Sequence, residues 1–258
     1  MSTTEARSGT TDGTGASLPA GYQTAGNRKV VAARLIGGAV VVWALLALIG
    51  LLLIHVVSSN GSPSWDRGVD TWFAAHRTPL LNTVTWAGSG IANTQSALAV
   101  TVLAVLLLRW RLRRWYESWV VVAAIVGELW IFLAVTATVH RSRPPVVRLD
   151  VSPPTSSFPS GHTAASIALY GCIALLLVGL WPSTRSRVIA VILFVLPVVV
   201  GLSRLYRGMH YPTDVVIGAL GGGLWLAVVV TTLMRPAASA SATPGAASQP
   251  AGEGSPPR

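Results

Sequence analysis

Cysteine is nearly absent: Cys172 is the only one in 258 residues, and it lies inside an apolar run. That excludes a disulfide framework and a thiolate metal centre. Lysine is as scarce, with Lys29 alone against eighteen arginines. Charge of either sign is short, at 11% of residues, against about 25% in soluble globular proteins. So little charge cannot cover a water-facing surface. A 52% hydrophobic content and a mean hydropathy of +0.58 point instead to an integral membrane protein. The net charge is +10, but most arginines flank apolar runs, where they set topology rather than bind nucleic acid. No nucleic-acid partner is expected. Arginine in place of lysine, with abundant alanine and valine, is the bias of a GC-rich bacterial genome, so a bacterial plasma membrane is the expected location.

Large aliphatic side chains are almost missing from residues 1–27 and 236–258, which are built mainly from Gly, Ser, Thr and Ala, with added Pro in the second. Such segments bury too little apolar surface to offset ordering entropy. Disordered tails are therefore expected at 1–32 and 236–258, flanking a membrane domain at 33–235. The first apolar run starts near Leu35 after a long polar leader. At about 22 residues it exceeds a signal-peptide core and is expected to remain as a helix.

Six runs approach the roughly 20 residues that a hydrocarbon core requires: 35–57, 92–109, 118–139, 162–181, 187–203 and 213–234. The second and fifth are short and draw on their flanks. None alternates as a barrel strand does, and a helix pairs all its own backbone groups in lipid. The expected fold class is all-α, a polytopic bundle of six transmembrane helices. Arg28, Lys29, Arg34, the arginines at 109, 111, 113 and 114, the PSTRSR linker and Arg235 fall on one side of this alternation. That side and both termini are expected in the cytoplasm. The other side carries the 58–91 loop, whose WDRGVDTWFAAH stretch reads as a surface amphipathic helix or an ordered loop.

Against the topological trend, Arg141, Arg143, Arg148, Arg204 and Arg207 lie on the outer side. Three segments meet there: HRSRPPVVRLD after the third span, SSFPSGHTAAS entering the fourth, and SRLYRGMHYPTD between the fifth and sixth. Arginine forks match phosphate oxygens. Ser160 and Gly161 begin a helix whose first N–H groups favour an anion, and Gly161 keeps the approach open. A neutral imidazole can attack phosphorus while a second group protonates the departing oxygen. His210 and Asp214, four apart at a helix start, would share a face. The carboxylate can then fix the tautomer that leaves the other nitrogen free. His162 suits the general acid.

These segments resemble the type 2 phosphatidic acid phosphatase (PAP2) superfamily of membrane lipid phosphatases, relatives of the vanadium haloperoxidases. Its motifs are Lys-x6-Arg-Pro, Pro-Ser-Gly-His and Ser-Arg-x5-His-x3-Asp. The second matches at Pro159, Ser160, Gly161 and His162, and the third at Ser203, Arg204, His210 and Asp214. The first matches only at Arg143 and Pro144, because Thr136 holds the lysine position. The resemblance covers 35–234 and implies a lipid phosphatase without metal or cofactor. His210 would form a phosphohistidine, Asp214 would orient it, and His162 would protonate the leaving group. Arg143, Arg204, Ser160 and Gly161 would hold the phosphate. The implied partner is a lipid phosphate within the bilayer: polyprenyl pyrophosphate, slightly favoured, or phosphatidic acid or phosphatidylglycerol phosphate. Lys29 cannot supply the missing cation, leaving His140, Arg141, Arg148 or Arg207 as substitutes.

Other readings compete. The same intermediate serves a phosphotransferase with an acceptor other than water, and loss of the lysine suits a non-catalytic lipid-phosphate binding or transport protein. A vanadate-loaded oxidase fits less well. Ser160 alone could be a helix cap, and His210 with Asp214 a structural pair. Glu128, near the middle of the third span, would cost on the order of 3 kcal/mol if ionised. An interhelical hydrogen bond is favoured over a proton relay there. Trp110, Trp115, Trp119 and Trp181 read as an interfacial belt, and GALGGG at 218–223 as close helix packing.

Overall fold

The computed structural model describes residues 28–57, 62–152 and 154–234. The helices in order are α1 (Arg28–Leu52), prolonged by a π-helical turn at Leu53–Val57, α2 (Ser64–Ala75), α3 (Pro79–Gly90), α4 (Thr94–Leu112) and α5 (Tyr116–Thr138). Next come α6 (Gly161–Ser166), which passes through a π-helical turn (Ile167–Gly171) into α7 (Cys172–Leu180), then α8 (Thr184–Tyr206) and α9 (Pro212–Leu233). Six helical stretches are long and apolar enough to cross a membrane: Arg28–Val56, Thr94–Leu112, Tyr116–Thr138, Gly161–Leu180, Thr184–Tyr206 and Pro212–Leu233. They are the six expected spans. The two short runs are completed by less apolar flanks, as anticipated, because the backbone bonds of a helix do not stop where hydrophobicity does.

Two boundaries differ from the sequence reading. Helix α1 begins at Arg28, so 28–32 are helical rather than part of a tail; the remainder of both expected tails, with Arg235, lies outside the described residues. The outer loop carries two helices instead of one. The second, α3, starts at Thr78, whose hydroxyl accepts from the Leu81 N–H at 3.2 Å, with Pro79 in the first helical position. Both are ordinary start signals.

Helix α9 packs on α1, α5 and α6, while α4 leans chiefly on α5. The core between them contains Val120, Val121, Ala124, Val135, Phe158, Leu176 and Val229, all essentially inaccessible. The outward faces are equally apolar, with Val40, Leu103, Leu106, Ile192 and Val198 exposed. Lipid tails offer such faces no reason to associate, so close packing must hold the helices together. The glycines of α9 provide it: a Cβ on Gly218 would sit 2.5 Å from the Ser160 carbonyl oxygen, and one on Gly222 equally close to that of Ala164. The PSGH turn is thus seated directly on α9. Trp225 fills the α5 side, donating its indole N–H to the Ala124 carbonyl at 2.8 Å.

Gly222→Ala should cost about 1–3 kcal/mol, because backbone rather than a flexible side chain opposes the added methyl. Gly223, with nothing within 4 Å of its Cβ position, should accept alanine within about 0.5 kcal/mol. Thermal unfolding of the two variants in detergent checks the contrast.

Candidate active site

Arg141 leaves α5 and is 4% exposed. Its guanidinium donates to Asp66 Oδ2 (2.7 Å), Ser62 Oγ (3.0 Å), Thr213 Oγ1 (2.7 Å) and Asp214 Oδ1, and it lies 4.3 Å from the centre of the Tyr211 ring. Asp66 also accepts from the Thr213 N–H at 3.1 Å. This network joins α2, the end of α5 and the start of α9. Arg141, one of the expected substitutes for the missing lysine, is therefore engaged. Arg207 is too, gripping Asp150 through Nε (2.8 Å) and Nη2 (2.6 Å).

His210 sits in a turn whose reversal passes through Gly208 at φ +70°, a conformation glycine adopts without strain. Its Nδ1 lies 2.7 Å from the Ser157 carbonyl oxygen. A carbonyl can only accept, so Nδ1 carries the proton and Nε2 keeps the lone pair. Asp214 Oδ2 is 3.9 Å from that Nδ1, too far for a direct hydrogen bond. Spacing of four suggested one, but α9 begins at Pro212, so His210 precedes the helix and the shared-face rule does not reach it. Asp214 instead accepts from the Ser157 hydroxyl, from Arg141, and from the Tyr211 N–H at 3.0 Å. Its own carbonyl accepts the Ser160 N–H at 2.9 Å. Ser160 is fully buried, with its hydroxyl 2.9 Å from Thr163 Oγ1. Of the Ser-Gly pair, Gly161 alone lines the neighbouring cavity.

That cavity, of about 870 Å³, is bordered at one end by Arg143, Asp150, Gly161, His162, Arg204 and His210. Arg143 donates to the Met209 carbonyl at 2.7 Å and Arg204 to Ser89 Oγ at 2.8 Å. The Nε of each is buried and has no partner among the described residues. Two unpartnered guanidinium N–H groups beside two imidazoles form a place for an anion.

The PAP2 superfamily model matches residues 119–237. Phosphatidylglycerophosphatase B of Bacillus subtilis is 28% identical over 187 residues, covering 72% of this chain and 91% of that protein. An undecaprenyl-diphosphatase of Sulfolobus acidocaldarius is 31% identical over 130 residues, 49% of this chain and 59% of that one. The crystal structure of a transmembrane PAP2-type phosphatidylglycerolphosphate phosphatase from Bacillus subtilis superposes with a TM-score of 0.65 at 24% identity, covering 77% of this chain and 95% of that chain. The chain belongs to the PAP2 superfamily of membrane lipid phosphatases.

Beyond the PAP2 motif residues, three side chains at this site escaped sequence reasoning. Ser157 bridges Asp214 and His210, Asp66 anchors Arg141, and Asp150 pairs with Arg204 (3.1 Å) and Arg207. Only their position as polar groups beside the motifs could have flagged Ser157 and Asp150, and Asp66 is remote from every motif. Thr136, at the motif lysine position, is buried and donates to the Leu133 carbonyl at 3.0 Å. His140 and Arg148 are exposed.

Burial lowers the His210 pKa; Asp214 opposes this, while Arg204 and Arg143 reinforce it. Burial also lowers that of Arg143, with Asp214 opposing and Arg148 adding to the effect. Asp150 is pushed up by burial, but Arg207, then Arg204 and His162, outweigh this and hold it below the usual carboxylate range.

Asp70 is 1% exposed, and both its oxygens lack partners among the described residues. Burial, then the charges of Asp66 and Asp214, raise its pKa to about 8 against the opposing Arg141. The folded value lies above the unfolded one, so stability present at low pH is lost as pH rises from about 4 to about 8. Asp70→Asn should remove that decline and raise Tm above pH 8, by an amount on the order of a few kcal/mol in stability. Melting curves of both proteins from pH 4 to 9 test this.

Proposed function

We propose that this protein hydrolyses a lipid phosphate or pyrophosphate at the end of the bundle formed by α2, α3 and the 139–160 loop, with His210 as nucleophile. The observation that carries the reading is the hydrogen bond from His210 Nδ1 to the Ser157 carbonyl, which directs the Nε2 lone pair to chemistry beside two arginines with unpartnered N–H groups. Nε2 attacks phosphorus as the phosphorus–oxygen bond to the lipid breaks, and His162 delivers a proton to the departing oxygen. Water then attacks the phosphohistidine, with His162 taking its proton. Arg143, Arg204 and the Gly161 end of α6 stabilise the charge on the phosphoryl oxygens. Ser160 holds the turn that presents Gly161, and Asp214 positions His210 through Ser157. No metal is required in this scheme.

Arg148 remains the best placed of the four substitute cations. Arg141 and Arg207 are engaged in ion pairs, while Arg148 is exposed and its charge reaches Arg143. The arginines and Lys29 near the opposite ends of the spans support placing those ends in the cytoplasm and the site at the external face. The relatives' names make phosphatidylglycerol phosphate and polyprenyl pyrophosphate the first substrates to try.

Phosphate release in detergent with EDTA should be robust in wild type, and at least about 1,000-fold slower in His210→Gln. Because burial depresses the His210 pKa, the nucleophile is already free base at neutral pH. The acid limb of kcat/KM should consequently fall below the ordinary imidazole range of about 6.5. Equal turnover by the variant would remove His210 from the chemistry. Lipid binding without turnover by either protein would favour a binding or transport role.

A further inference from the structure

Glu128 is a buried polar group at the cavity that the mechanism leaves unused. It lies on α5, 4% exposed, and borders the same cavity as His162 and His210. The interhelical hydrogen bond expected of it is not made: no hydrogen bond or ion pair reaches its carboxyl group among the described residues. On its own helix the cavity wall is apolar, formed by Val122, Ile125, Val126 and Leu129, while α4 across the cavity adds Thr94, Ser96 and Thr101. Phe132, the next turn of α5, marks the level of the site, because a Cβ on Gly161 would come within 2.7 Å of its ring. Glu128 precedes Phe132 by four residues, about 6 Å deeper along the helix.

The Glu128 oxygens are not among the fully buried atoms that lack a partner, so the carboxyl meets the cavity, where a group that supplies the missing hydrogen bond gains the most. With a lipid's phosphate at the histidines, the first few bonds beyond it reach the depth of Glu128. A glycerophospholipid carries hydroxyl or ester oxygens there; a polyprenyl chain carries only hydrocarbon. We infer that Glu128 is a specificity residue that hydrogen-bonds the glycerol region of the substrate and selects glycerol-based lipid phosphates over prenyl ones. This rests on the phosphatase reading for the position of the phosphate, and it reverses the preference for a polyprenyl carrier drawn from the sequence.

The test compares dioleoyl phosphatidic acid with farnesyl monophosphate, two phosphate monoesters of which only the first carries glycerol ester oxygens; because their tails differ as well, the readout is the change in their ratio on substitution. The kcat/KM ratio favouring phosphatidic acid should fall about tenfold in Glu128→Leu and be largely kept in Glu128→Gln, which retains hydrogen-bonding capacity. An unchanged ratio in Glu128→Leu, or an equal loss on both substrates, would overturn the inference. Equilibrium binding of the same two lipids to His210→Gln, with and without Glu128→Leu, separates the inference from the catalytic reading. Selective weakening of phosphatidic acid binding supports the role of Glu128 even where wild type shows no turnover. Identical binding with and without the second substitution refutes it.

Discussion

The buried guanidinium of Arg141 joins three parts of the chain that are remote in sequence: α2 through Asp66, the exit of α5 through its own backbone, and the first turn of α9 through Thr213 and Asp214. Desolvating a charge is expensive, and a buried ion pair is often no more stabilising than well-packed apolar residues would be. Its constraint is geometric. Once Asp66 and Asp214 are buried, only a cation at that one position satisfies both. The ends of the helices on the site side can then meet in one arrangement. The same carboxylate, Asp214, receives the Ser157 hydroxyl, and the Ser157 carbonyl receives the His210 N–H. Orientation of the His210 ring is thereby inherited from a structural ion pair, one residue removed.

That dependence divides the outer arginines by task. Arg141 and Arg207 are saturated by carboxylates and backbone carbonyls and hold loops in place. Arg143 and Arg204 are anchored through one nitrogen each, to Met209 and Ser89, while their Nε atoms have no partner among the described residues. Anchoring costs side-chain entropy in advance, so a phosphate meets donors already in position. Asp150 tempers this cluster by balancing Arg204 and Arg207. Without it, the neighbouring guanidinium groups of Arg204 and Arg207 would repel each other in a partly dry site.

The cavity combines this charged end with a hydrocarbon-lined one, matching an amphiphile whose head reacts while its tails stay in lipid. Helix α4, which leans chiefly on α5, forms one of its walls. The small residues of α9 hold α6 rigid on the opposite side. The reacting groups are thus mounted on the packed part of the bundle, and the lipid-contacting part is the less tightly held.

The sequence by itself determined the six spans, their boundaries to within a few residues except at the start of α1, and the segments that meet at the candidate site. These are local properties: a hydrocarbon solvent demands a continuous apolar helix, and the motif residues lie within short stretches of chain. Small glycines at 218–223 were legible as packing positions for the same reason. Partnerships across the chain were not. His210 and Asp214 are four apart, yet they do not bond directly, because the helix starts after the histidine. Ser160 reads as an anion-binding residue, yet its N–H belongs to the Asp214 carbonyl. Arg141 reads as a spare cation and proves to be the structural centre. Glu128 reads as half of an interhelical bond and instead faces the cavity, with no such bond among the described residues. Hydrogen bonds and ion pairs depend on approach to within about 3 Å, and only tertiary packing sets distances of that order between residues far apart in the chain.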